Sequence, residues 1–249
     1  MAILIKTAAE IAKMRASGRI LREIHNAIQP VVRPGATTMD LENAAAARIA
    51  EFGVQAAFKG YHGYPAALCT SINEEVVHGI PNPKRVLQEG DIVSIDCGVI
   101  LDGFYSDAAV TYAIGTPSAQ TKRLLDTTKA SLDAAIHQAQ VGGRLGDISA
   151  AVQEICEAEG FGVVRDFVGH GIGRSMHEDP QVPNFGPRGK GPRLKAGMVL
   201  AIEPMINAGK PDVKVLKDGW TAVTVDGSYS AHFEHTVAIT KDGPVILTL

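Results

Sequence analysis

Asp91-Ile92-Val93-Ser94-Ile95-Asp96-Cys97 and, after six intervening residues, Phe104-Tyr105-Ser106-Asp107-Ala108-Ala109-Val110 form the stretch that decides the fold. Both segments alternate as strands do, the second running on to Ile114, and Leu101-Asp102-Gly103 between them is turn material, so the pair reads as a β-hairpin. If the hairpin turns at Asp102-Gly103 with an even-length loop, residue 96 sits opposite residue 109. Asp107, two residues from that partner, then points to the same face as Asp96. Diagonal neighbours of this kind lie roughly 7–8 Å apart at the backbone, close enough for their carboxylates to converge on one cation. An odd loop would put them on opposite faces. Both aspartates interrupt apolar strands, and unpaired carboxylates inside a core are too costly to leave without a metal, a basic partner or solvent. An edge hairpin with its aspartates in water is the competing reading.

Working outward, the same anomaly recurs twice. Glu203 ends the apolar run Met198 to Ile202, just before Pro204, and Glu234 heads the strand candidate Phe233 to Ile239. Four carboxylates in such places favour a metal site. With an imidazole they suit divalent Mn, Fe, Co or Zn, and two ions can share bridging carboxylates. Of eight histidines, His170 stands out in Gly169-His170-Gly171-Ile172-Gly173, where glycines let backbone approach a buried centre. His177 follows in His177-Glu178-Asp179-Pro180, and His78 sits in the turn-like Val77-His78-Gly79-Ile80-Pro81. His25 and His137 fall in helical stretches and are expected at the surface. The glycine-rich loop lacks a Walker lysine and the dinucleotide spacing, so it is not a phosphate cradle. No Gly-x-Ser-x-Gly elbow, catalytic-cysteine context, His-Glu-x-x-His motif or cysteine zinc cluster occurs.

Helical spacing marks four further segments. The first opens on a capping box of Thr7 and Glu10, carries Ile11, Met14, Gly18, Leu21 and Ile28 on one side, and closes at Pro30. The second spans Thr38 to Phe52 with Gly53 as its stop, the third Ser118 to Gln140, the fourth about Asp147 to Glu159. Asp179 to Gly197 is dense in Pro and Gly and reads as loop. The order of helices, hairpin, helices and strands suggests two similar halves, and no linker divides the 249 residues, so one domain over 1–249 is expected.

Bulk properties exclude other classes. Hydrophobic residues at 45% and charged residues at 20% fit a globular chain, and a net charge of -3 gives no nucleic-acid footprint. Cys69, Cys97 and Cys156 form no close pair, which argues against a disulfide framework. No signal peptide is visible, and no apolar run approaches the roughly 18 residues of a membrane span. The expectation is a cytoplasmic protein with no membrane contact.

Seven segments then align, in order, with one family: Gly60–Pro65, Cys69–Glu74, His78–Pro81, Ser94–Gly98, Gly169–Pro180, Ala201–Met205 and Phe233–Thr236. Over essentially its whole length the sequence resembles the bacterial type I methionine aminopeptidases. That resemblance implies an α+β pita-bread fold, two pseudo-symmetric αβ halves around a dinuclear metal centre. It implies two divalent ions (Co, Mn, Fe or Zn), with Asp96, Asp107 and Glu234 as shared ligands completed by His170 and Glu203. The ions acidify a water and polarise the scissile carbonyl. Glu203 shuttles the proton, while His78 and His177 hydrogen-bond the scissile amide. The resemblance also places Phe58, Tyr61, Tyr64, Cys69, Met176 and Trp220 around the methionine side chain, where a thioether meets aromatic rings. Met176 stands where relatives are usually aromatic, and Val77 where many carry cysteine. Relatives hold a monovalent cation near Asn73 and Ser230, but Glu75 occupies an ordinarily apolar place in that loop.

The implied activity removes the initiator methionine of nascent chains, at the ribosome, when the second residue is small, and the enzyme is expected to be a monomer. Met1-Ala2 is itself a start that this activity would trim. The rivals are a prolidase-type Xaa-Pro peptidase, which carries an extra N-terminal domain, and a non-catalytic binding module, which has typically lost its metal ligands.

Overall fold

The structure, a computed structural model, describes residues 2–249; Met1, on which the trimming expectation falls, lies outside the described residues. Strands Ile92–Leu101 and Phe104–Ala113 pair antiparallel from Leu101 opposite Phe104 down to Ile92 opposite Ala113. The two-residue loop Asp102-Gly103 has φ of 51° and 75°, and positive φ at both positions is what the tight I′ hairpin turn needs. The loop is even, so Asp96 lies opposite Ala109 and Asp107 opposite Gly98. Leu68–Ile72 pairs with the other edge of Ile92–Leu101, setting Cys69 opposite Asp96.

Strand alternation then sorts the hairpin's side chains. Val93, Ile95, Cys97 and Val99 pack with Leu21, Ile24 and Ile28 of helix α1 (Ala8–Ile28) and with Leu41, Ala45 and Ile49 of α2 (Thr38–Phe52). Asp96, out of phase with them, faces away from the helices. α1 opens on the Thr7–Glu10 capping box and buries residues at helical spacing, while α2 stops at Gly53 in the left-handed conformation, as the sequence predicts. Truncating a core residue such as Leu41 to alanine would cost about 2–5 kcal/mol.

The second half repeats the design. Helices α3 (Ala119–Gln138) and α4 (Leu145–Ala158) cover a five-stranded antiparallel sheet ordered Gly243–Ile246, His235–Thr240, Val199–Ile202, Gly169–Gly171, Glu178–Val182. Leu200, Ile202, Val237 and Ile239 face Leu124, Leu132, Ile136, Ile148 and Val152. α4 starts two residues before the predicted Asp147, because the Asp147 carboxylate accepts from the Arg144 N–H and turns the helix in earlier. The segment read as loop from Asp179 begins as the edge strand Glu178–Val182; an edge tolerates Pro180, which has no N–H to give a neighbour. Two histidine expectations part company: His137 is exposed, but His25 is buried, its Nε2 3.1 Å from the Ala108 carbonyl. The helix face that carries His25 is the one pressed on the hairpin, and burial lowers its pKa to about 4.

Two features locate the site. Val199–Ile202 pairs with His235–Thr240 in the large sheet, and Met205–Asn207 pairs with Ser230–His232 in a three-stranded sheet completed by Gly162–Val163. Between them both chains leave regular pairing for two residues, Glu203-Pro204 on one and Phe233-Glu234 on the other. The strand predicted to start at Phe233 therefore starts at His235. The second feature is a seam between the halves. Thr111 Oγ1 donates to the His232 carbonyl at 2.7 Å, the Glu234 N–H donates to the Ala109 carbonyl at 2.9 Å, and Thr236 Oγ1 donates to the Asp107 carbonyl at 2.8 Å. The contacts step by two residues in opposite directions, the register of an antiparallel pair. The three cysteines are free and buried. No helix among the described residues is long and apolar enough to cross a membrane.

Candidate metal centre and the cavity around it

The seam brings the hairpin aspartates to the two strand breaks. One ligand atom each of Asp107, His170 and Glu234 lies within 4.8 Å of the others, and all three residues are buried. Asp96 and Glu203 line the same cavity of about 550 Å³. His170 stands where the chain runs between two strands, and its flanking glycines permit that approach. A Cβ on Gly169 would lie 2.4 Å from the Ala201 carbonyl oxygen, and one on Gly171 would lie 2.3 Å from that of Asp179.

The electrostatics of this cluster demand a counter-charge. Burial, reinforced for Asp96 by Asp107 and Glu203, pushes Asp96 well above the usual carboxylate range. Burial raises Asp107 to about 7, and burial with neighbouring carboxylates holds Glu203 and Glu234 well above their ordinary value. Asp96 Oδ1, Asp107 Oδ1 and Glu234 Oε1 are buried without a hydrogen-bond partner among the described residues. Burial also lowers His170 to about 3, so its ring is neutral, and its Nδ1 lies 2.9 Å from the Gly171 carbonyl. An N–H donated there leaves the Nε2 lone pair for a ligand, the arrangement seen when backbone orients a metal-binding imidazole. Glu203 lies 3.6 Å from that Nε2 through Oε1. Orphaned carboxylate oxygens beside a neutral imidazole fit a first-row divalent cation.

The two further histidines and the six pocket residues that the sequence assigns to the substrate all line this cavity. Tyr64, buried, shares its one hydroxyl proton between the Leu68 and Gly79 carbonyls, each 3.0 Å away, and meets Trp220 edge-on at 5.1 Å. Cys69 packs in the same cluster, with Phe58 and Trp220 against it. Met176 is 2% exposed, and its unbranched side chain fills the wall. His78 has a φ of 63°, uncommon away from glycine, and burial lowers its pKa to about 4. His177 sits with its ring 4.3 Å from that of His170. The loop bearing Met176 and His177 is clamped by Glu178, whose Oε1 accepts from the Arg174 and Ser175 N–H groups while Oε2 meets the buried Lys6 ammonium.

Sequence reasoning missed several wall residues, three of them ring-bearing. His232, 2% exposed, puts Nε2 3.6 Å from Glu203 Oε2. Its signal was its place two residues before Glu234. Phe167 meets His78 edge-on at 5.5 Å, and His62 joins the wall from a left-handed backbone position. Neither carries a local signal. Beside the centre, the Ser230 N–H donates to the Asn73 carbonyl, and Glu75 is buried against Arg85 at 2.7 Å.

A metallohydrolase built on two αβ halves is what fold and site together define. The model of metallopeptidase family M24 matches residues 12–241. A methionine aminopeptidase of Clostridium acetobutylicum is 53% identical over 247 residues, 99% of each chain. The crystal structure of the methionine aminopeptidase from Thermotoga maritima superposes with a TM-score of 0.98 at 50% identity, covering 99% of both chains. The chain therefore belongs to metallopeptidase family M24 and, within it, to the methionine aminopeptidases. The prolidase of Pyrococcus horikoshii shares the fold alone: TM-score 0.79, 22% identity, 98% of this chain but 63% of that one.

Proposed function

We propose that this cavity releases the initiator methionine from new polypeptides whose second residue is small, with residues 1–249 acting as one catalytic domain. The observation that carries the reading is four converging carboxyls, two buried and two half-buried, three of them with an orphaned oxygen, and a neutral imidazole lining a cavity of about 550 Å³. Asp96, Asp107 and Glu234 would hold two divalent ions jointly, with His170 and Glu203 completing the set. Mn, Fe, Co and Zn all suit these donors. When bound, the ions supply Lewis acidity to water and to the scissile carbonyl.

The chain's own groups do the rest. Glu203, which lines the cavity 3.6 Å from the His170 and His232 rings, is placed to take a proton from water and pass it to the leaving amine. His78 and His177, neutral because burial lowers both, offer an N–H to the scissile amide without adding charge. Tyr64, Cys69, Met176 and Trp220 enclose the methionine side chain and exclude water from it. The enzyme works as a cytoplasmic monomer on amino termini emerging from the ribosome.

Cleavage of Met-Ala-Ser, Met-Leu-Ser and an Xaa-Pro peptide, alongside metal stoichiometry in wild type and Asp96→Asn, tests the reading. Cleavage confined to Met-Ala-Ser and lost with metal in the variant is the expected result. Full activity in Asp96→Asn would refute the ligand set.

A further inference from the structure

Tyr61 belongs to the cavity wall, but its hydroxyl makes a contact that a wall residue does not need. It lies 2.8 Å from Nδ1 of His177, a residue 116 positions away on a separate loop, with the two rings 5.5 Å apart. Tyr61 is held in a short helical turn, Tyr61–Gly63, whose Tyr61 N–H donates to the Phe58 carbonyl and whose Tyr64 N–H donates back to the Tyr61 carbonyl. His177 is held on its side by the Glu178 clamp. Tyr61 is thus held by backbone bonds of its own turn, and the loop before His177 by the Glu178 carboxylate.

A neutral imidazole has one donor nitrogen and one acceptor, and the group at one nitrogen decides the role of the other. A phenol is a good O–H donor and a poor acceptor, because its oxygen lone pair is delocalised into the ring, whereas an unprotonated imidazole nitrogen accepts strongly. The O–H of Tyr61 therefore goes to Nδ1. Burial keeps the phenol above its ordinary pKa, so the proton is in place at neutral pH.

We propose that Tyr61 is the positioning residue of His177: its hydroxyl donates to Nδ1 and fixes the Nε2–H tautomer, so that Nε2 offers a donor to the substrate amide. The proposal rests on the reading that His177 hydrogen-bonds that amide. It adds a link between selectivity and turnover, because the ring that borders the methionine pocket also carries the hydroxyl that sets the tautomer. A substrate side chain that displaces Tyr61 breaks the bond, so poor substrates lose kcat as well as affinity.

Tyr61→Phe keeps the ring and removes only the hydroxyl. Losing one neutral hydrogen bond predicts a fall in kcat of about tenfold with KM within about twofold. In the metal-free protein without substrate, the side-chain 15N shifts of His177 should move from the Nε2–H pattern toward a mixture of tautomers. On a His177→Ala background, Tyr61→Phe should do nothing further. Unchanged His177 shifts, an unchanged kcat, or a full additional loss on the His177→Ala background each overturn the proposal. The 15N readout needs no catalysis, so failure of the peptidase reading would appear separately, as a wild type that does not cleave Met-Ala-Ser.

Discussion

Removing the carboxylate of Asp107 in the metal-free protein should make the fold more stable at alkaline pH, not less, relative to wild type. Asp107 is 5% exposed, and burial raises its carboxyl from an ordinary 3.8 to about 7. A group whose folded pKa lies above its unfolded value favours the fold below the unfolded pKa and loses that advantage as pH rises toward the folded pKa. The full cost is about 4 kcal/mol, and more than half of it falls between pH 5 and pH 8. Buried His25, His78, His170 and His232 run the other way, since their lowered pKa values cost stability as pH falls. They are common to wild type and Asp107→Asn, so the difference between the two proteins removes them. Urea unfolding of both proteins in EDTA should thus show the variant gaining on wild type by about 2–3 kcal/mol from pH 5 to pH 8. Excess Mn at pH 8 should reverse the order, stabilising wild type through its intact site. A difference flat with pH, within about 0.5 kcal/mol, would show that the buried carboxyl carries no ionisation penalty, and the case for a required cation would fall.

Three other perturbations are as direct. Thr236→Val strips Asp107 of both backbone partners, since Oγ1 accepts its N–H at 3.0 Å and donates to its carbonyl at 2.8 Å; stability should fall by about 1–3 kcal/mol in urea unfolding, with metal titration showing about tenfold weaker binding. Unaltered metal affinity would mean the seam does not aim Asp107. Lys6→Met leaves the Glu178 carboxylate buried and unpaired, a loss of about 3–5 kcal/mol, and hydrogen exchange should speed up in residues 172–178 ahead of the rest of the chain. Trp220→Ala removes the edge-on neighbour of Tyr64 and of His78, at 5.1 and 6.4 Å, and steady-state kinetics should show KM for Met-Ala-Ser rising about tenfold with metal content unchanged. A fall in kcat alone would assign Trp220 to another role.

What the sequence by itself determined was whatever a short stretch of backbone enforces. Asp102-Gly103 marked the turn, and an even loop there puts Asp96 and Asp107 on one face whatever surrounds them; the strand pairing supplied the parity that the sequence left open. Thr7 with Glu10, and Gly53, bound their helices by hydrogen bonds made within a few residues. Glycines around His170 announced a close backbone approach, and the carboxylates were visible because they break apolar runs. The family motifs named the partners of the hairpin, but no local rule did. Tertiary structure alone decided that Asp107 meets Thr236 and that Ala109 meets Glu234, contacts across more than a hundred residues that form only when the two halves close. It decided as well that both strands break together at Glu203-Pro204 and Phe233-Glu234, and that His232 joins the wall. His25 was read as a surface group for its polarity, although it stands four residues after Leu21 and three before Ile28, on the stripe that the hairpin covers. Turns and caps are set by bonds between near neighbours, whereas a metal cradle needs side chains from distant segments held at one point, and only the packing of the two halves holds them there.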